Sequence, residues 1–200
     1  LRGAENQIPH DYVAPQAIRT SIPEEHYPTA YIQEKTLEYL DARKSDDEPF
    51  FAMVSFPDPH HPFTPPGKYW GMYSPDDMTL PPSWDHGNRP LPQHLTWARD
   101  QLQSGDAQRG GQNTFAVNER ETLEAMALTC GMIAMVDDAI GAILARLKEN
   151  GHIYLGSYAG WYAVRDEAYY QEDELTSGPD GKKIAPSGAE CEWVEESSYF

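Results

Sequence analysis

The segment "FFAMVSFPDPHHPFTPP", residues 50–66, joins an apolar run to a proline-rich loop that carries two adjacent histidines. The short continuous apolar run, residues 50–56, is typical of a strand buried on both faces in a parallel sheet. In open α/β sheets, ligands bind at the loops that follow the carboxyl ends of strands. We therefore expect an α/β fold in which His60 and His61 lie near a binding cleft.

Either histidine at this position suits contact with an anionic oxygen, as a hydrogen-bond donor or as a general acid. The alternative is a loop histidine that is hydrogen-bonded and has no function. Neighbouring side chains of an extended segment point in opposite directions, so His60 and His61 are not expected to bind one metal ion together. One would face the cleft and the other solvent or protein.

Helical periodicity flanks this segment on its amino-terminal side. A helix is predicted from about residue 29 to residue 44, with Ala30, Leu37 and Leu40 on one face. Residues 57–92 are rich in proline and predict a long surface loop, of the kind that is often functional. Residues 104–113 predict a flexible tip.

A long helix is predicted to follow, from about residue 118 to residue 150. Asn118 can cap it with Glu121 at the third position, and Gly151 supplies the stop. Asp137 falls on the apolar stripe, where we expect an anchored or capping carboxylate, with a catalytic role as the alternative. The stripe repeats at three- and four-residue steps through Leu123, Met126, Cys130, Ile133, Ile140, Leu144 and Leu147.

The composition changes after Gly151. The stretch "IYLGSYAGWYAVRDEAYY", from residue 153, is aromatic and punctuated by glycine, which predicts short strands and tight turns. "TSGPDGKK" predicts a turn and "ECEWVEESSYF" a last strand. These patterns divide the chain into residues 1–151 and 152–200.

Charge and composition restrict the possible partners. The chain has 200 residues and a net charge of −17, which disfavours nucleic acid and anionic membranes as partners. The two cysteines do not suggest a disulfide framework. No run of about 18 apolar residues occurs, so no membrane span is expected. The amino terminus lacks a signal-peptide core but begins with Leu, so the compartment stays open, with the cytoplasm as the default expectation.

Two stretches resemble one enzyme family. "EPFFAMVSFPDPHHPFTPPGKYWGMY" is similar to the middle of a sulfatase of the alkaline-phosphatase-like superfamily, in which an apolar strand precedes a Pro-His-x-Pro loop. "LTCGMIAMVDDAIGAILARLKENG" resembles the family's next helix, with a Gly-Met-Ile, an Asp and an Ile-Gly at this spacing. The resemblance covers about residues 20–151. It implies that His60 contacts the sulfate group of a substrate ester, and that His61 stands where the family varies.

Other elements of a sulfatase active site are missing from the sequence. The family uses a formylglycine, made in a Cys/Ser-x-Pro-x-Arg motif, and a divalent cation such as calcium. Residues 21–25 come nearest to that motif but lack its arginine, and the family's paired metal-binding aspartates are absent. Asp85-His86-Gly87 copies a later family motif in the wrong place, which we interpret as coincidence. We therefore predict no catalytic residue, no metal ligand and no cofactor in this chain.

The carboxyl-terminal stretch resembles a different family. "IYLGSYAGWYAVRDEAYYQEDEL" and "APSGAECEWVEESSYF" are similar to the inserted connective region of a bacterial methionyl-tRNA synthetase. In zinc-containing relatives, the resemblance would place the four ligands at Ala163, Asp166, Ala185 and Gly188. None of these is Cys or His, so no tetrahedral zinc site is expected. The synthetase's ATP-binding motifs are also absent.

The chain is interpreted as a junction of two pieces. Residues 1–151 are a partial sulfatase-like parallel-sheet domain with a long helix, and residues 152–200 are a small, mostly β segment like the synthetase insertion. The predicted function is a fragment of a sulfatase-like hydrolase that is inactive alone. His60 and His61 are its candidate substrate-binding residues, and a sulfate ester is the partner in the intact family. The alternative is a non-catalytic structural or binding module, or a methionyl-tRNA synthetase fragment from a chimeric reading frame.

Overall fold

The computed structural model describes residues 6–45, 48–84, 90–107, 116–178 and 180–199. The chain divides into two compact units, Leu1–Arg146 and Leu147–Phe200. The first unit is built from helices and long connections, and the second contains a β-sheet. This mixture of helices and strands confirms the predicted α/β class.

Three α-helices are present in the described residues. They are α1 (Pro28–Ala42), α2 (Gln93–Ser104) and α3 (Glu119–Glu149). Helix α1 matches the predicted helix and begins with a proline, which is favoured there because its missing N–H would have had no partner in the helix. Helix α2 was not predicted, and it makes Ser104 the end of a helix where a flexible tip was expected.

Both ends of α3 are formed by local hydrogen bonds, as predicted. The Asn118 side chain accepts the backbone N–H of Glu121 at 2.9 Å, and the Glu121 carboxylate accepts the backbone N–H of Asn118 at 2.8 Å. At the other end Gly151 takes a φ of 76°, and the N–H of His152 donates to the carbonyl of Leu147 at 2.9 Å. These reciprocal bonds satisfy terminal backbone groups that would otherwise lack partners.

The predicted apolar stripe of α3 is not its buried face. Ile133, Ile140 and Leu144 are 50%, 43% and 40% exposed. Asp137, on the same stripe, is exposed and not anchored as expected. The face that is buried instead carries a mixture of small and large apolar residues and two carboxylates. Its buried residues are Glu121, Glu124, Ala127, Leu128, Gly131, Met132, Met135 and Ala139.

The prediction of a buried parallel strand at residues 50–56 is wrong for this structure. The segment is not a strand, and Phe51 and Met53 are 92% and 83% exposed. A strand forms only where a neighbour can accept its backbone hydrogen bonds, and no described strand pairs with this segment. The parallel pairing found in the described residues is an isolated bridge between Ala17 and Phe63.

The second unit contains an antiparallel sheet of five strands in the order β2-β1-β5-β4-β3. The two long strands pair with each other, so that Trp161 lies opposite Trp193 and Tyr158 opposite Glu196. This result confirms that strands and turns form here, but β1 and β5, with 9 and 10 residues, are longer than the short strands predicted. The strands are β1 (Leu155–Ala163), β2 (Ala168–Tyr170), β3 (Thr176–Ser177), β4 (Lys183–Ile184) and β5 (Glu190–Tyr199).

The predicted proline-rich loop is confirmed where the structure describes it. Residues 57–84 and 90–92 contain two single-turn 3-10 helices, Gly67–Tyr69 and Pro75–Asp77, and no α-helix or strand. The motif at residues 85–87 and residues 108–113 of the predicted tip lie outside the described residues. This part of the chain therefore carries the histidines on irregular backbone, as the sequence predicts.

Among the described helices, α3 is long and apolar enough to cross a membrane by length and composition. A core helix of a soluble protein meets the same criterion, and one face of α3 packs into the first unit. Leu128 and Met132, on that face, are fully buried. The packing accounts for the apolar residues of that face.

Candidate functional site

A buried aspartate anchors the loop that carries His60 and His61. Asp58 is only 5% exposed, and its Oδ2 accepts the hydroxyl of Thr29 at 2.7 Å. Its Oδ1 accepts the hydroxyl of Tyr27 at 3.3 Å. A buried carboxylate is costly unless it is hydrogen-bonded, so these two hydroxyls fix the loop to the start of α1.

Hydrogen bonds also fix the carboxyl-terminal end of the same loop, at Phe63 and Thr64. The hydroxyls of Thr64 and Tyr27 lie 2.6 Å apart, and Thr64 is fully buried. The N–H of Phe63 donates to the carbonyl of Gln16 at 2.9 Å, and the Phe63 carbonyl accepts the N–H of Ile18 at 3.0 Å. Fixed on both sides, the loop presents residues 59–62 at the surface.

The two histidines lie side by side at this surface. Both are exposed, and their ring centroids are 4.2 Å apart with an interplanar angle of 37°. The expectation that they point in opposite directions is therefore wrong. That expectation assumed extended backbone, whereas the N–H of His60 donates to the carbonyl of Pro57 at 3.1 Å and closes a turn.

One hydrogen bond decides the tautomer of His60. Its Nδ1 lies 2.7 Å from the backbone carbonyl oxygen of His61. A carbonyl oxygen can only accept, so Nδ1 carries the proton and donates. In the neutral ring Nε2 then bears the lone pair, and a further proton at Nε2 would make it a donor toward an anion.

The residues around the histidines do not fit the divalent cation that sulfatases use. No group of three or more His, Cys, Asp or Glu side chains in the described residues could hold a metal ion. Asp58, the nearest carboxylate in sequence, is buried and accepts the hydroxyls of Thr29 and Tyr27. Hard divalent cations need several oxygen ligands, and the described residues do not bring such a set together.

A close contact between α3 and the proline-rich loop explains why the Gly-Met-Ile stretch begins with glycine. A Cβ atom at Gly131 would overlap the carbonyl oxygen of Tyr69, so only glycine permits this approach. Two turns further on, Asp138 accepts the hydroxyl of Tyr69 at 2.7 Å and the ammonium of Lys68 at 3.1 Å. The bond from Tyr69, followed by that from Lys68, lowers the pKa of Asp138. Burial and the bond to Asp138 raise the pKa of Tyr69.

Sequence reasoning missed a second buried carboxylate, Glu124 on α3. It is 2% exposed, and its Oε2 accepts the backbone N–H groups of Val13 and Ala14 at 2.6 and 2.7 Å. Its Oε1 accepts Nε of Arg120 at 2.9 Å. The predicted apolar stripe gave no signal for it, because Glu124 lies on a different face of α3, the one that carries Leu128.

A groove of about 580 Å³ lies beside this carboxylate. Burial, followed by the charges of Asp11, Glu124 and Asp76, raises the pKa of Tyr12 in its wall. Neither His60 nor His61 contributes to this groove. Its lining residues are Asp11, Tyr12, Pro75, Asp76, Glu119, Arg120, Leu123 and Glu124.

In the second unit, the four positions that correspond to zinc ligands lie in two turns. The N–H of Asp166 donates to the carbonyl of Ala163 at 3.1 Å, and the N–H of Gly188 donates to that of Ala185 at 2.8 Å. The methyl groups of Ala163 and Ala185 are buried in one cluster with Cys191. Methyl groups, a glycine and one carboxylate cannot supply four zinc ligands, so these residues do not fit the ion.

Hydrogen bonds join the two turns directly. The carboxylate of Asp166 accepts the hydroxyl of Ser187 and, at 3.0 Å, the hydroxyl of Tyr170. The guanidinium of Arg165 donates to the carbonyl of Ser187 at 2.8 Å. The bond from Ser187, with those from Tyr170 and Arg165, lowers the pKa of Asp166. Polar side chains thus connect the turns at the place where a zinc ion would have joined them.

Comparison with known proteins agrees with the motif around His60 and with the long helix. A family model described as Sulfatase matches residues 4–153. The chain belongs to the sulfatase family. The sulfatase-family chain is also similar to the crystal structure of the phosphonate monoester hydrolase of Agrobacterium radiobacter, with a TM-score of 0.53 and 17% identity. The similarity covers 99% of this chain and 38% of the hydrolase, and at this identity it shows the fold alone.

The resemblance of the carboxyl-terminal stretch to methionyl-tRNA synthetase is also confirmed. A methionine–tRNA ligase of Rhizobium meliloti is 56% identical over 63 residues, which are 32% of this chain and 12% of the ligase. The ligase of Brucella melitensis is 61% identical over 51 residues, 26% of this chain and 10% of the ligase. The sulfatase-family chain therefore spans about a tenth of the length of these curated relatives. It combines a sulfatase region with a segment similar to methionyl-tRNA synthetase.

Proposed function

We propose that the loop at residues 57–62 binds the anionic group of a sulfate ester through His60, with His61 beside it, and that the chain alone does not hydrolyse the ester. The observation that carries this proposal is the hydrogen bond from Nδ1 of His60 to the carbonyl of His61 at 2.7 Å. This bond orients the ring. Because Nδ1 already carries a proton, a second proton can bind only at Nε2, which is the atom that would donate to an anion.

The pairing of the rings supports an anionic ligand. Two protonated imidazoles with centroids 4.2 Å apart repel each other, and an oxyanion beside them offsets that repulsion. The anchored backbone on either side means that binding requires little additional ordering of the loop.

The proposed lack of turnover rests on the missing catalytic partners. The sequence contains no Cys/Ser-x-Pro-x-Arg motif for a formylglycine, and the described residues do not assemble a metal-binding group. Residues that act as a catalytic unit lose most of the rate when a single member is removed. Contact between His60 and the anion would then give binding without catalysis.

An NMR titration with inorganic sulfate tests the binding. The imidazole signals of His60 should shift saturably with sulfate, and His60→Ala should abolish the response. His94, another exposed histidine of the first unit, serves as the matched control, and His94→Ala should leave the response unchanged. Equal shifts at both histidines, or none at His60, would refute the proposed site.

A separate assay tests turnover. Incubation of the purified chain with a chromogenic aryl sulfate, with and without Ca²⁺, should give no product above that of His60→Ala. Saturable sulfate binding without turnover is the outcome that the proposal requires. Turnover that disappears in His60→Ala would show an enzyme with a nucleophile outside the known motif.

A second candidate function, a non-catalytic structural module, is favoured for the second unit. Its turns are joined by Asp166 and Ser187, and Ala163, Ala185 and Cys191 form a buried cluster beside them. We expect no stoichiometric zinc after dialysis and no aminoacylation activity. Elemental analysis that finds about one zinc per chain would contradict this assignment.

A further inference from the structure

The carboxyl-terminal end of α3 carries the one Asn-Gly pair in the sequence, Asn150-Gly151. Because glycine has no side chain, its backbone nitrogen can approach the side-chain amide of a preceding asparagine with little steric hindrance. Asn150 is half-buried and Gly151 is exposed, so water reaches the pair. Of the asparagines in this chain, Asn150 therefore has the neighbour that most favours deamidation.

Deamidation of Asn150 needs only water as a co-reactant. The backbone nitrogen of Gly151 loses its proton and attacks the side-chain carbonyl carbon of Asn150. A new C–N bond closes a cyclic succinimide, and the side-chain nitrogen leaves as ammonia. Water then opens the ring at either carbonyl. Opening at one carbonyl gives aspartate, whereas opening at the other gives isoaspartate, whose main chain is longer by a methylene group.

The structure holds the attacking nitrogen in a hydrogen bond. The N–H of Gly151 donates to the carbonyl of Lys148 at 3.1 Å, and the φ of Gly151 is 76°. The N–H of His152 closes the same turn by donating to the carbonyl of Leu147 at 2.9 Å. The nitrogen of Gly151 can turn toward the Asn150 side chain only if these bonds break. Helix ends open far more often than helix interiors, so such openings do occur.

We propose that Asn150 deamidates only when the last turn of α3 opens, and that the isoaspartate product prevents this turn from closing again. The added methylene group displaces the N–H groups of Gly151 and His152 from the carbonyls of Lys148 and Leu147. Either product also places a negative charge beside the carboxyl end of α3, where the helix dipole is already negative. Local opening thus converts a capped helix end irreversibly into an open one.

Peptide mapping by mass spectrometry measures deamidation in the full chain, incubated in mildly alkaline buffer with and without urea. We expect Asn150 to react at least about tenfold more slowly in the folded chain, because a protecting free energy of about 1.4 kcal/mol gives that ratio. Asn118, which precedes Glu119, is the internal control and should react far more slowly than Asn150 in urea. Electron-transfer fragmentation distinguishes isoaspartate from aspartate.

A variant that loosens the turn without altering the reacting pair tests whether opening controls the rate. Lys148→Gly lowers the helix propensity of the last turn of α3 and should speed deamidation in the folded chain about threefold. Lys35→Gly makes the same change within α1 and should leave the rate at Asn150 unaltered. In urea, both variants should react at the rate of the unaltered chain.

Asn150→Asp separates the effect of the added charge from that of the longer main chain. Hydrogen exchange at residues 147–152 should be faster in the isoaspartate product than in Asn150→Asp. The proposal is overturned by equal deamidation rates in the folded and the urea-unfolded chain, by an unchanged folded-state rate in Lys148→Gly, or by equal exchange in the isoaspartate product and Asn150→Asp.

Discussion

Residues 50–56 of the first unit and residues 155–163 of the second unit are both rich in apolar residues, yet only the latter, strand β1, belong to a sheet. Strand β1 pairs with β5 through eight residues, from Leu155 opposite Tyr199 to Tyr162 opposite Glu192. Residues 50–56 pair with no strand in the part of the chain that the structure describes, and Phe51 is 92% exposed. The difference shows that composition makes a segment capable of forming a strand, whereas a hydrogen-bonding neighbour makes it one.

The two units also differ in how they hold their loops. The first unit buries the carboxylates of Asp58 and Glu124 under hydroxyl and backbone donors. The second unit joins its turns through Asp166, whose side chain keeps partial access to solvent. Removing a donor or acceptor should therefore cost more in the first unit, because a buried group left without a partner cannot turn to water.

The largest expected effect tests which face of α3 is buried. Leu128→Ala removes a fully buried side chain and should lower the free energy of unfolding of the first unit by about 2–5 kcal/mol. Leu144→Ala makes the same change on the same helix at a side chain that is 40% exposed, and should cost no more than about 0.5 kcal/mol. Urea unfolding followed by circular dichroism measures both. Equal losses would mean that the predicted stripe is buried after all.

The next effect concerns the anchor of the histidine loop. Asp58→Ala leaves the buried hydroxyl of Thr29 without its acceptor and that of Tyr27 with Thr64 alone, and should destabilise the first unit by about 1–3 kcal/mol. Hydrogen exchange of the loop should accelerate as well. Asp77→Ala, at an exposed aspartate of the same long connection, is the control. Unchanged exchange at residues 57–64 in Asp58→Ala would rule out the anchor.

Two glycines of α3 should respond in opposite directions to one substitution. Gly131→Ala forces apart the helix and the carbonyl of Tyr69 and should cost about 1–3 kcal/mol. Gly141→Ala meets no atom within 4 Å, so improved helix propensity should stabilise the protein by about 0.5–1 kcal/mol. Thermal unfolding checks both variants. A gain at Gly131 would show that the helix and the loop are not in close contact.

The smallest effect is a pH dependence in the second unit. The pKa of Asp166 is lowered in the folded state, so its ionised form stabilises the fold. This contribution is complete above the unfolded pKa of about 4 and disappears as the pH falls through the folded pKa. Asp166→Asn should therefore lower the melting temperature near neutral pH and flatten its decline with acid. Asp173→Asn, at an exposed aspartate of the same unit, should retain the wild-type profile.

The fold was predictable from the sequence where the signal is local. The capping pair Asn118 and Glu121 and the stop at Gly151 mark the ends of α3. Glycine and β-prone residues after residue 153 mark the strands of the second unit. Each of these signals acts through bonds between residues that are close in the chain, so the rest of the fold is not needed to interpret it.

The candidate site was predictable only in part. The Pro-His-His-Pro stretch identified His60 and His61 as candidates, but their side-by-side arrangement depends on a turn that the alternation of an extended segment did not indicate. The anchoring role of Asp58 was missed because its partners, Thr29 and Tyr27, lie about thirty residues earlier. Contacts over such separations leave no periodic pattern in the sequence.

The sequence by itself determined the family, the bounds of the long helix, the β character of the second unit and the place of the histidines. Only the tertiary structure decided that Leu128 and Gly131, and not Ile133 or Leu144, face the interior of the first unit. It also decided that residues 50–56 stay outside any sheet. The physical reason is that capping and turn formation depend on neighbours in the chain, whereas burial and strand pairing depend on what lies opposite in space.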